Sequence, residues 1–318
     1  MNQVLSTTKY VLDRAKWVHI NQEKLVEFAQ HFQHGAKRHW LSEAPIELSQ
    51  FSVEDRLHFI CIISAMSFSF WGEPKWSIEH QGKLFDGNWG MIKALGRGIE
   101  EGVPLLDFKS ISTVTRQDFA QVLRGNIEMP LFEERYTILQ EVGHIITTQF
   151  DGKLSHLVKQ AEGDALKLLD LVVSHFSSFH DTSVYNGKEI CFYKRAQLLV
   201  ADISQVFSGT EFGDLERVEQ LTACADYKLP QILRKQGILE YSDDLAERID
   251  QKVELSHDSD EEIEIRAHTI WAVELMTQEA RKRIPGLMPI EVGDYLWQAT
   301  QQKYPDDKPY HRTRTTAY

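Results

Sequence analysis

The stretch LTACADYKLPQILRKQGILEY, residues 221–241, places Asp226 among apolar and small residues. An ionised carboxylate is costly to bury in such surroundings unless something compensates it. The next charged side chain is Lys228, and Pro230 follows where it suits the first turn of a helix. Two kinds of work fit a carboxylate so placed. It can cap the amides of that helix. Alternatively, ionised and screened from water, it can stabilise or attack a developing cation, or take a proton from water. A cation such as Lys228 would help to keep it charged.

Three other stretches carry residues of interest. FYKRAQLLVADI sets Lys194 and Arg195 at a helix start, with Asp202 two turns later. Cations there oppose the helix dipole unless an anion joins them, so a ligand phosphate is one reading and a surface charge pair the other. SFSFWGEPKW concentrates Phe68, Phe70, Trp71 and Trp76 beside Glu73 and Lys75, and Trp89 follows. This is either a core corner or a stacking wall for a planar heterocycle. YHRTRTTAY carries His311, Arg312 and Arg314 between aromatics. Tails of this composition usually fray; folded back, this one would meet the acidic DEEIEIR region or a phosphate.

Much chemistry is excluded. No P-loop, GxGxxG, GxSxG or HExxH occurs. Among the 13 histidines, His31 and His34 share a helical face, but no third ligand stands at metal spacing, so no metal and no cofactor are expected. The three cysteines, Cys61, Cys191 and Cys224, form no CxxC pair and suit a reducing compartment. The formal net charge of -12 argues against stable nucleic-acid wrapping, though not against a small basic pocket. FICIISAMSFSFW is too short to span a bilayer, and the N-terminal residues lack a long apolar core. The reading is a cytoplasmic protein without membrane contact, its oligomeric state open.

Helical periodicity must position these residues. Asn21 and the Ser52/Asp55 pair mark two helix starts. WSIEH and KLFD, joined across Gln81-Gly82, predict a short hairpin, followed by a helix from about Asn88 to Glu100. Further helices are expected over 115–125, 131–149, 154–179 (with a break near Gly163), 195–207, 215–227, 230–236 and 243–252. The last two cover 265–283, led in by Ser259 as cap, and 290–304. The expected architecture is mainly α: a single compact helical domain, 1–318, with a small β-hairpin. Strands do not alternate regularly with helices, which argues against a Rossmann-type fold.

Taken together, SFSFWGEP, FYKRAQLLVADI, LTACADYKLPQILRKQGILEY, EIEIRAHTIWAVELM, DYLWQ and HRTR resemble the queuosine salvage protein family, the queuosine 5′-phosphate N-glycosylases/hydrolases. The motifs stand in the family's order from about residue 20 onward; their combination is specific, and no single piece is. The resemblance implies a helical fold like that of DNA glycosylases. It also implies cleavage of the N-glycosidic bond of queuosine 5′-monophosphate to queuine and ribose 5-phosphate, for queuine salvage into tRNA modification. It assigns the catalytic carboxylate to Asp226, with Tyr227 and Lys228 in the same motif. The base-lining position two residues earlier, often aromatic in the family, is Cys224 here. That departure would shift stacking to another ring such as Trp71 or Trp76. Asp294 and Tyr295 of DYLW would contact the base, and His39 is the best match to a pocket histidine. Lys194 and Arg195 remain candidates for the phosphate.

This chemistry builds oxocarbenium-like charge on the ribose, which an ionised carboxylate beneath the anomeric carbon can meet. The base is a deazapurine without a ring nitrogen to protonate at its imidazole position. Hydrogen bonds to its pyrimidine-like edge, with Asp294 the candidate, must therefore carry more of the work. The competing class is a non-catalytic module that binds a modified nucleotide or a tRNA-processing partner. A DNA glycosylase is disfavoured by the missing basic groove and by LPQILRKQG, which lacks the glycine pair of a helix-hairpin-helix loop.

Overall fold

Ser259 accepts the Glu262 amide, and Asp260, Glu261 and Glu262 fill the first turn of the helix that follows, where negative charge suits the dipole. That helix, Asp260–Ala280, is the longest in this computed structural model, which describes residues 2–33 and 39–318. Ile263, Ile265, Ala267, Ile270, Ala272 and Val273 are all buried, so the helix is covered on nearly every side. It is the spine of the first of two compact units, made of Met1–Trp40, Asp181–Gln197 and Arg217–Tyr318.

Helices Gln3–Leu12, Gln22–His31, Lys228–Lys235 and Pro289–Ala299 pack against this spine. Leu25, Ala29, Leu229, Leu233, Val273, Met276, Val292 and Leu296 share one apolar core. Each such aliphatic side chain contributes roughly 1.5–3 kcal/mol on full burial. Strand Val18–Ile20 pairs antiparallel with Leu239–Tyr241, Val18 opposite Tyr241. Glu264, itself buried, accepts the amides of Lys16, Trp17 and Val18 and the Tyr185 hydroxyl, so its charge is fully solvated by the chain. A hairpin of Thr182–Tyr185 and Lys188–Cys191 turns at Asn186-Gly187, whose φ values of 48° and 76° fit a type I′ turn.

The second unit comprises Leu41–His180 and Leu198–Glu216, and the chain passes from one unit to the other within the helix Lys194–Val206. Helix Val53–Met66, capped by Ser52 as expected, packs against Phe132–Gln149 and Leu154–Gln160. Hairpin Ser77–His80/Lys83–Asp86 leads into Gly87–Glu100. The expected helix over 154–179 breaks into Leu154–Gln160 and Ala165–His175, with Gly163 at φ 76° between them.

The mainly α fold is as read from the sequence, with three two-stranded sheets among the described residues rather than one hairpin. One expected helix is corrected. Residues 215–227 form only a 3-10 turn, Val218–Gln220, followed by an extended run to Asp226. The Thr222 amide bonds to the side chain of Gln197 (2.9 Å) instead of to a preceding carbonyl, and that tertiary partner overrides local helix propensity. The tail also departs from the frayed reading. Leu255 donates to the Arg312 carbonyl, and His311, Thr313, Thr315 and Tyr318 are buried.

Candidate active site

The extended run 221–226 is clamped on two sides. Gln197 donates to Thr222 Oγ1 (2.8 Å) and to the Phe192 carbonyl (3.0 Å), and its Oε1 accepts from the Thr222 amide and from Asn2. On the other side Gly293 lies so close to Ala223 that a Cβ there would stand 3.3 Å from the alanine Cβ. That close approach brings the helix carrying Asp294 and Tyr295 against the segment that carries Cys224 and Asp226. Gln197 stands one turn beyond Lys194 on its helix, so the same clamp ties Lys194 to this segment.

Asp226 is 9% exposed. Its Oδ1 accepts the amides of Lys228 (2.7 Å) and Leu229 (3.0 Å), so it caps the helix Lys228–Lys235. The cap reading and the chemical reading are compatible, because both amide bonds fall on Oδ1 and neither engages Oδ2. Burial pushes the carboxyl pKa up; Lys194, the two amides and then Lys228 pull it back, and the net shift is upward. The leading cation is thus Lys194, not Lys228 as the sequence spacing suggested. Lys228 instead donates to Gln231 Oε1 (3.1 Å) and lies over the Tyr310 ring, against which Tyr227 also packs at 4.9 Å.

Lys194 and Arg195 are buried, which overturns the surface-pair reading. Burial lowers the pKa of Lys194; Asp226, Cys224 and Asp181 oppose that fall, and Arg195 adds to it. The anion demanded at this helix start is supplied by the chain itself, since Asp181 Oδ2 accepts the Lys194 amide (3.0 Å). Asp181 in turn receives a fork from Arg266, at 2.9 and 2.6 Å.

Aromatic groups surround the Asp294 helix, Phe32 and Trp40 buried and the others half-buried. Tyr295 meets Phe32 edge-on at 4.8 Å, and Trp40 meets Trp297 at 5.6 Å, with His39 beside Trp40 at 6.0 Å. His39, Tyr295, Cys224, Asp226, Tyr227, Lys228, Asp294, Lys194 and Arg195 thus all belong to the first unit. Phe32, Trp40, Gln197, Thr222 and Asp181 were not singled out from sequence. The signal available for Gln197 and Thr222 was a polar residue inside an apolar run, the same signal that marked Asp226.

Trp71 and Trp76 belong to the second unit. Trp76 donates to the Leu123 carbonyl (3.3 Å) and packs so tightly on Gly90 and Gly125 that a Cβ at either would collide with its ring. The SFSFW loop is held by buried Arg135, which donates to the carbonyls of Met66, Phe68 and Ser69 and lies over the rings of Phe68 and Phe70. Core packing accounts for this corner. His31 bonds to the Glu27 carbonyl, and His34 lies outside the described residues.

Among the described residues, His257, Asp258 and Glu262 offer ligand atoms within 4.8 Å of one another, though Glu262 also faces Arg266 at 3.8 Å. No helix among the described residues is long and apolar enough to cross a membrane.

A family model described as queuosine salvage protein matches residues 48–318. A protein of Sphaerobacter thermophilus, named queuosine 5′-phosphate N-glycosylase/hydrolase, is 38% identical over 99% of this chain and 97% of its own length. Proteins of the same name from Mus musculus and Dictyostelium discoideum are 35% and 30% identical, over 83% and 99% of this chain and 82% and 98% of theirs. With the match running through the Asp226 segment, the clamp at Gln197 and the Asp294 helix alike, the chain belongs to the queuosine salvage protein family.

Proposed function

We propose that this chain, with residues 1–318 working as one salvage domain, hydrolyses the N-glycosidic bond of queuosine 5′-monophosphate in the cytoplasm. Queuine and ribose 5-phosphate are the products. The observation that carries the reading is the state of Asp226: buried, anchored through one oxygen, and opposed by a buried ammonium. Full-length relatives that bear the N-glycosylase/hydrolase name support it over a binding module.

The mechanism follows from that arrangement. As the C1′–N bond lengthens, positive charge gathers on the sugar. The two amides fix the carboxylate's rotamer, and Oδ2 is the oxygen that meets C1′ or activates water. Lys194 favours the ionised carboxylate against its burial, and turnover needs Asp226 deprotonated and Lys194 protonated. Asp294 takes the hydrogen-bonding edge of the leaving base, while Tyr295, Tyr227 and His39 line the base site. Cys224 leaves that site less aromatic than the family pattern. Incubating the purified protein with queuosine 5′-monophosphate, without added metal, should release a free base detectable by mass spectrometry. Retention of intact nucleotide at stoichiometric binding would instead indicate a binding module.

A further inference from the structure

Asp181 draws together more of the chain than its one carboxylate suggests. Its main-chain carbonyl accepts the amides of Phe192 (3.0 Å) and Tyr193 (3.1 Å), and its Oδ2 accepts that of Lys194. Three consecutive amides therefore converge on one residue, and Tyr193 takes a φ of 50° to allow it. Arg266 holds the carboxylate from the far side with two parallel N–H bonds. The guanidinium lies 3.9 Å from the Phe192 ring centre and 4.5 Å from that of Tyr318, so the segment under Asp181 also covers the fork. Both Asp181 and Arg266 are buried, and neither occupies the reacting centre proposed for Asp226.

We propose that Asp181 is a positioning residue for the reaction: gripped by Arg266, it fixes the backbone of Phe192–Lys194 and so delivers the Lys194 ammonium to Asp226. The inference rests on the function proposed above. The charged and titratable groups acting on Lys194 include Asp226 and Cys224 from the extended segment, Arg195 from its own helix, and Asp181. Removing the Asp181 charge takes away one of the groups that hold the ammonium protonated. Arg266 needs its planar fork, which a lysine cannot reproduce.

The test uses the full chain. Lys194 is titrated by NMR of side-chain-labelled lysines, its signal identified by loss in Lys194→Met, and base release is followed against pH. In Asp181→Asn the Lys194 titration is expected to move down by about one pH unit, and the basic limb of kcat/KM to move with it. A uniform loss of rate with both midpoints in place would reduce Asp181 to packing and overturn the proposal. Arg266→Lys retains every charge and serves if Asp181→Asn does not fold. It should lower kcat by about 10- to 100-fold with KM little changed, as expected for a misplaced group, and an unaltered kcat overturns the proposal. Should the wild-type protein release no base, the functional reading fails alone, and the Lys194 titration still decides the placement.

Discussion

Asp181 and Asp226 perform the same backbone task in the first unit, each accepting amides at the start of a helix, yet their partners differ. Asp181 receives the fork of Arg266, a cation that stays charged at any pH the fold survives. Asp226 faces Lys194, a titratable point charge that burial is already driving toward neutrality. The first pair is a fastening. The second is a site whose charge can change, which is what acid–base work requires. The distinction lies in the partner, not in the aspartate.

Breaking the reactive pair should have the largest effect. Asp226→Asn retains an oxygen for the two amides but removes the charge, and turnover should fall by about 10²–10⁴-fold in steady-state kinetics. Because the folded state raises the Asp226 pKa and the ionised form is the active one, wild-type activity should be lost as pH falls through that raised value. The acid limb of kcat/KM then lies above the ordinary carboxylate range, and a limb at or below that range would show burial to be the weaker influence.

Breaking the fastening pair should cost stability as well as rate. Arg266→Met leaves Asp181 and Glu262 buried without their cation, which should lower unfolding free energy by about 3–5 kcal/mol in chemical denaturation. A loss below ~1 kcal/mol would mean that the cluster holds a proton rather than a charge. Glu262 is the group that would carry it, since burial raises its pKa despite Arg266.

A smaller effect separates frame from chemistry. Gly293→Leu forces side-chain atoms against Ala223 and should cost about 1–3 kcal/mol while raising KM more than it lowers kcat, because Asp294 and Tyr295 adjoin it. Smallest of all is Lys159→Ala. Its pairing with Glu211 is long, at 3.6 Å, and solvent-exposed, so a stability change within about 0.5 kcal/mol and unchanged kinetics are expected.

The helices were legible wherever local chemistry decided them. Asn21, Ser52, Thr115 and Ser259 each cap where their types predict, and the long helix breaks at Glu162-Gly163, where both residues take a left-handed φ and only the glycine does so without strain. The hairpin at Asn186-Gly187 carries its turn signal in the Asn-Gly pair itself. The run 221–226 was not readable in the same way. Its extended form depends on Gln197, whose partnership with Thr222 spans 25 positions of sequence and leaves no periodic trace. The site divides likewise. Asp226 declared itself as a charge in an apolar run, whereas the identity of its countercharge followed only from three-dimensional proximity.

The proposed reaction needs the position-226 side chain to face C1′ of the ribose. A crystal structure of Asp226→Asn with queuosine 5′-monophosphate would show whether it does. The side chain at position 226 is expected within about 3–3.5 Å of C1′, with the base edge against Asp294. A nucleotide bound with its ribose away from that side chain would contradict it.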